Sequence, residues 1–99
     1  MEALGIALTG MQSASTRVAV SAHNVANLLT KDFRPLRADQ VSEPGGGARA
    51  VVTQAADPEP VGLAREVVDQ KLASLQYGAS ARVFQVGAEM RGQLLDILA

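Results

Sequence analysis

The sequence predicts a mainly α protein in which two long helices form an elongated helical hairpin or coiled coil, joined by a short β-hairpin or irregular loop. Three observations carry this expectation. Residues 3–30 keep an apolar position at alternating steps of four and three. Residues 60–98 keep one at steps of four, four and three. Between them, residues 31–59 hold "SEPGGG", a Pro-Gly cluster that interrupts a helix rather than continuing it. At 99 residues the chain has room for a single domain, so one elongated domain over 1–99 is expected.

In the first helix, residues 3–30, the repeated positions are Leu4, Leu8, Met11, Ser15, Val18, Ala22, Val25 and Leu29. This spacing keeps side chains on one face of a helix and forms the kind of seam that one long helix presents to another. Ser15 is its polar break. Ser13, Arg17, Asn24 and Asn27 fall on the opposite side. Gly5 and Gly10 weaken the first turns.

The second helix is expected over residues 60–98. Ala64, Val68, Leu72, Leu75, Ala79, Val83, Val86, Met90, Leu94 and Ile97 follow an eleven-residue repeat, a period that favours a nearly straight course. These are its predicted buried positions, and Gln76 lies off them. Gly78, Gly87 and Gly92 lie beside this row. A second apolar row, Leu63, Val67, Phe84, Leu95 and Leu98, is left for other contacts. Asp57 is placed to cap the helix, with Pro58 and Pro60 in its first turn. Asp57, Glu59, Glu66 and Asp69 complement the helix dipole, and Arg65 and Asp69 can pair one turn apart on the exposed face. At about 1.5 Å per residue the helix runs roughly 55 Å. A compact globule of this chain length is only about 34 Å across, so the molecule is elongated or the helix breaks at a glycine.

In the middle, "FRPLRADQV" and "ARAVVTQA" flank "SEPGGG". Two short extended runs about a Pro-Gly turn read as a β-hairpin, with a flexible loop as the alternative. "PGGGAR" lacks the Lys-Ser/Thr of a phosphate loop and is a turn.

Composition narrows the function. The 47% apolar content is mostly 17 Ala, 11 Val and 11 Leu. Small side chains allow close helix approach but bury little area each, so the core is thin and burial against partners is expected. A formal charge of −1 lacks the basic excess of a nucleic-acid binder. The absence of Cys excludes disulfides and thiolate metal sites. "MEALGIALTG" has no basic n-region of a cleavable signal peptide, and no apolar run approaches the roughly 18 residues of a membrane span. His23, the single histidine, has no carboxylate or second ligand near it in sequence and reads as a surface or packing residue. No catalytic, cofactor-binding or metal-binding constellation is present, so neither an enzyme, a cofactor nor a small-molecule substrate is expected.

"LTGMQSASTRVAVSAHNVANLLTKDFR", from Leu8 to Arg34, resembles the N-terminal signature of bacterial flagellar rod and hook proteins. That signature has a Gly-Met pair, an Arg, an Asn-Ile-Ala-Asn run, and then Thr-x-Gly-aromatic-basic. The matching positions are Gly10, Met11, Arg17, Asn24, Val25, Ala26, Asn27, Thr30, Phe33 and Arg34. The C-terminal helix is similar to the family's closing helix at Val61, Ala64, Glu66, Val68, Tyr77, Ala79, Met90, Leu94, Leu95 and Ile97. The likeness covers both ends and skips the middle, which is shorter than in typical rod proteins. Leu28 and Leu29 replace small or polar residues. Asp32 replaces the family's Gly, which enters a left-handed turn more readily.

The resemblance implies a shortened proximal rod protein: a structural subunit of the flagellar basal-body rod, self-assembling through its terminal helices. Its implied partners are itself, other flagellar axial proteins and the flagellar type III exporter. The implied location is the basal body in the cell envelope, reached without a cleaved signal peptide. The candidate assembly residues are Met11, Arg17, Asn24, Asn27, Phe33, Tyr77 and Phe84. The Asn pair has two readings. Asn27 ends the helix with Asn24 a solvated neighbour, or both amides bond to neighbouring subunits. The alternative function is a soluble adaptor or regulator with a rod-like signature that binds an exported partner or chaperone.

Overall fold

A computed structural model describes residues 3–98. In chain order it contains helix α1 over Ala3–Ala26, strand β1 over Leu36–Ser42, strand β2 over Ala48–Gln54 and helix α2 over Leu63–Leu98. Helices make up 62% of it, close to twice the ordinary share. The molecule measures 62 × 24 × 14 Å and has a radius of gyration of 17.3 Å, against about 13 Å for a compact chain of this length. The elongation follows from α2, whose 36 residues run about 54 Å without a break.

Both helices are shorter than their apolar periodicity suggests. α1 stops at Ala26 rather than near residue 30. The Asn27 N–H donates to the carbonyls of His23 (3.2 Å) and Asn24 (3.1 Å), and Leu28 N–H to Val25 (3.1 Å). Such i to i−3 bonds tighten the last turn. The chain then passes Asp32 at φ 55°, in the left-handed region. Asp is among the few L-residues that tolerate it.

α2 starts at Leu63 rather than near residue 60, with the Gly62 carbonyl accepting from Glu66 N–H at 3.0 Å. Asp57 is therefore not the cap, and Pro58 and Pro60 precede the first turn. They lie in an extended run that stays beside residues 33–35, where Ala55 N–H donates to Pro35 (2.9 Å) and Glu59 N–H to Phe33 (3.1 Å). Arg65 and Asp69 form no ion pair; Arg37 pairs instead with Glu59 at 3.6 Å.

The middle segment is a β-hairpin. β1 and β2 pair antiparallel from Leu36↔Gln54 to Ser42↔Ala48. Its loop closes through Gly46 N–H to Glu43 and Glu43 N–H to Gly47, both 3.1 Å. Gly45, Gly46 and Gly47 sit at φ 87°, 105° and 94°, where other residues are strained. The sheet rests on α1. Its tip is pinned by the Thr9 hydroxyl, which accepts from Ala48 N–H at 3.2 Å. A Cβ on Gly47 would lie 2.8 Å from that hydroxyl oxygen, so only glycine lets the loop come this close.

The two helices pack antiparallel. Asn24 meets Glu66, Ser21 meets Gln70, Arg17 meets Gln76, Gly10 meets Ser80 and Leu4 meets Gly87. This is not the predicted seam. Of the α1 row, Leu8, Ser15, Val18, Ala22 and Leu29 are exposed and Leu4, Met11 and Val25 only half-buried. Every member of the eleven-residue row of α2 is exposed. The contact line is instead Ala7, Gly10, Ala14, Arg17, Ser21 and Asn24 on α1, facing Glu66, Gln70, Ala73, Gln76, Ser80 and Gly87 on α2. The physical reason is distance. A Cβ on Gly10 would sit 2.4 Å from Ser80 Oγ, and one on Gly87 would sit 2.9 Å from Leu4 Cδ2. Backbones this close leave no room for the Leu and Val rows between them. The buried apolar set is correspondingly small: Ala7, Ala14, Val20 and Ala73.

Candidate assembly surfaces

The interior of the hairpin is organised by polar side chains. Asn24, 1% exposed, bonds to both backbone groups of Leu36. Its Nδ2 donates to the Leu36 carbonyl at 2.8 Å, and its Oδ1 accepts from Leu36 N–H at 2.9 Å. The same Nδ2 also donates to Glu66 Oε1 at 3.1 Å. One side chain thus joins the C-terminal end of α1, the start of β1 and the first turn of α2. Ser21 adds a bond from its hydroxyl to the Glu66 carbonyl at 3.0 Å, and Gln70 donates to the Ser21 hydroxyl at 3.1 Å.

Asn24 therefore faces into the hairpin, where the seam prediction had turned it outward. It is neither a solvated neighbour nor an amide free to reach another subunit. Asn27 behaves differently. Its Nδ2 donates to the His23 carbonyl at 2.9 Å, and its Oδ1 accepts from the Thr30 hydroxyl at 3.0 Å. It closes the end of α1. Glu66, expected as a charge complementing the helix dipole, does lie in the first turn of α2; it is also buried and accepts a hydrogen bond from Asn24.

A second polar hub lies further along. Gln76 Oε1 accepts from Arg17 Nη1 at 2.8 Å and from Gln40 Nε2, and its Nε2 donates to the Gly10 carbonyl at 3.4 Å. Arg17 is thereby tied to α2. Phe33 is half-buried against His23, with ring centroids 5.5 Å apart and planes tilted by 51°. Met11 is half-buried. Of the candidate residues, Tyr77 and Phe84 lie on the outer surface, 47% and 37% exposed.

The outside of α2 carries most of the large apolar side chains. Every Leu, Ile, Val, Met, Phe and Tyr of α2 is exposed, whereas its two buried residues are Glu66 and Ala73. Ile6, Leu8, Val18, Leu28 and Leu29 add to this surface from the α1 side. Large apolar side chains exposed in this number are what an interaction surface presents. A polar cleft of about 200 Å³ beside Asn24 sets Arg17, Arg37 and Arg65 against Asp39, Glu66 and Asp69, so it offers a ligand no single sign of charge. Among the described residues, no helix is long and apolar enough to cross a membrane.

The hubs Asn24, Glu66 and Gln76 escape a search for apolar periodicity because they are polar. Their signal is a heptad row of small and polar residues, Ala7, Gly10, Ala14, Arg17, Ser21 and Asn24, spaced as regularly as the apolar row beside it. A scan against protein-family models found no match, and a search of curated proteins found none either.

Proposed function

We propose that this chain is a structural subunit of the bacterial flagellar basal-body rod, assembling with copies of itself and with other axial proteins through its terminal helices. The observation that carries the reading is the inverted distribution of side chains. The hairpin keeps small and polar residues inside and leaves all the large apolar side chains of α2 outside. Exposed apolar area of this size is unfavourable in water, at about 25 cal/mol per Å², and neighbouring subunits would remove it by packing helix rows in coiled-coil fashion. The run from Leu8 to Arg34, with "HNVAN" at its centre, supplies the resemblance that selects the flagellar rod among assemblies. Asp32 departs from the family's Gly at this place, and its φ of 55° is one that Asp tolerates. A core of Ala7, Ala14, Val20 and Ala73 also suits a chain that passes an exporter unfolded.

Sedimentation across a concentration series tests this. Open-ended growth is expected, because contacts between unlike surfaces of successive copies build filaments when their rotation does not close a ring. A species that stops at a fixed small size would overturn the rod reading in favour of the soluble adaptor.

A further inference from the structure

We infer that β2 of one copy pairs edge to edge, antiparallel, with β2 of a second copy, about a two-fold axis at Val52. The hydrogen bonds of the hairpin show which backbone groups are left for this. In an antiparallel ladder, residues that bond to the opposite strand alternate with residues whose N–H and C=O both point outward. Ala55 N–H donates to Pro35, and Glu43 N–H to Gly47. With the register Leu36↔Gln54, the odd-numbered residues therefore bond across the hairpin and the even-numbered ones face away from it. Two even-numbered residues are capped by α1. Asn24 takes both groups of Leu36, and Thr9 takes the N–H of Ala48. On β2 this leaves Ala50, Val52 and Gln54, whose outward backbone groups have no partner among the described residues.

An open sheet edge accepts a further strand unless something guards it. β1 is guarded: it carries Arg37 and Asp39, and its Gln40 is tied to Gln76 of α2. β2 is not. From Ala50 to Gln54 it reads "AVVTQ", without a charge, a Pro or a Gly, and Val52 is 45% exposed. The strand that fits such an edge is another like it. With Val52 opposite Val52 of the second copy, Ala50 meets Gln54 and Gln54 meets Ala50, and these pairs use every outward group of the three residues. Val51 then lies opposite Thr53, a favourable β-branched pair. Arg49 lies opposite Ala55, so the two Arg49 side chains stay apart. Gln54 of the second copy also comes beside Ala50, which lines a recess of about 440 Å³. Ser13 lines the same recess, 2% exposed and with its hydroxyl unpartnered among the described residues, so the incoming Gln54 amide finds a hydrogen-bond partner there.

The contact uses none of the α2 surface on which the rod reading rests, so the two are tested apart. The chain has no cysteine, and Val52→Cys places one thiol per copy at the axis. Oxidation with copper phenanthroline over a concentration series should join this variant into a disulfide-linked pair. Val41→Cys, on β1 and 37% exposed, should give at least tenfold less. Equal yields from the two, or none above a denatured control, overturn the pairing even where the chain grows through α2. A linked pair that grows no further upholds the pairing and overturns the rod reading. A charge exchange gives a second readout. Val52→Lys and Val52→Glu each set like charges opposite one another and should each pair at least tenfold more weakly than the unmodified chain, with an unchanged far-ultraviolet helix signal. Mixed, they should recover a pair containing one copy of each, read by native mass spectrometry. A mixture that pairs no better than either variant alone overturns the inference.

Discussion

One row of α2 meets α1 with Glu66, Gln70, Ala73, Gln76, Ser80 and Gly87. A neighbouring row turns Val68, Leu72, Leu75, Val83, Val86 and Met90 to the surface. Both rows are regular, yet they are selected for different properties. The inner row allows close approach and offers directional bonds, as from Gln70 to Ser21 and between Gln76 and both Arg17 and Gly10. Such bonds fix the register of one helix against the other, because a shifted pairing leaves buried groups unsatisfied. The outer row offers area, the non-directional quantity that drives association. The hairpin is held by its polar line, and the apolar line remains available for neighbours.

The largest expected effect separates the two asparagines. Asn24→Ala deprives both Leu36 backbone groups and Glu66 of a partner, at about 1 to 3 kcal/mol for each buried group. The melting temperature should fall by more than about 10 °C. Asn27→Ala removes two local, solvent-exposed bonds at the helix end and should cost about 1 kcal/mol. Equal losses in thermal melts of the two variants would mean that Asn24 is not the link between α1, β1 and α2.

Gly10→Val comes next. The added side chain meets Ser80 where even a Cβ would lie 2.4 Å from its oxygen, and overpacking of this kind costs about 1 to 3 kcal/mol. Chemical unfolding of this variant beside Gly78→Val sharpens the comparison, since a Cβ at Gly78 meets nothing within 4 Å. Similar destabilisation in both would show that helix propensity, not close approach, governs the contact.

The smallest effect has the opposite sign. Ser13 is buried, and among the described residues its hydroxyl has no hydrogen-bond partner. Ser13→Ala removes a polar group that burial penalises and improves helix propensity, so it should raise stability by up to about 1 kcal/mol. A drop in the melting temperature would show that the hydroxyl is satisfied.

The element order, the β-hairpin and the elongated shape were legible in the sequence, because they depend on local chemistry and on length. The Gly run from 45 to 47 marks the hairpin loop, and the second helical pattern is too long for a globule unless the helix breaks at a glycine, which it does not. The helix faces were not legible. Periodicity identifies which side chains share a face, but not what covers that face. Leu75 repeats as a core residue would and is 61% exposed; on the assembly reading proposed above, a neighbouring subunit would bury it. Glu66 and Asn24 look like surface polar residues until the fold brings them together. The helix ends were also missed. Apolar spacing continues through Val25 and Leu29, while the i to i−3 bonds after Ala26 are a geometric outcome that composition does not carry.

Unfolding of Ala73→Asp and Leu75→Asp, two residues apart on α2, tests most directly which face holds the hairpin. Both are measured in urea at a concentration low enough to keep the chain monomeric. Ala73 is 0% exposed against α1, so a carboxylate there loses its hydration without a partner, at a cost of several kcal/mol or about a third or more of a small domain's stability. Leu75 faces solvent, and Leu75→Asp should stay within about 0.5 kcal/mol of the unmodified chain. That ordering is the result this account predicts. Equal losses, or a greater loss for Leu75→Asp, would place the apolar row inside the hairpin and contradict it.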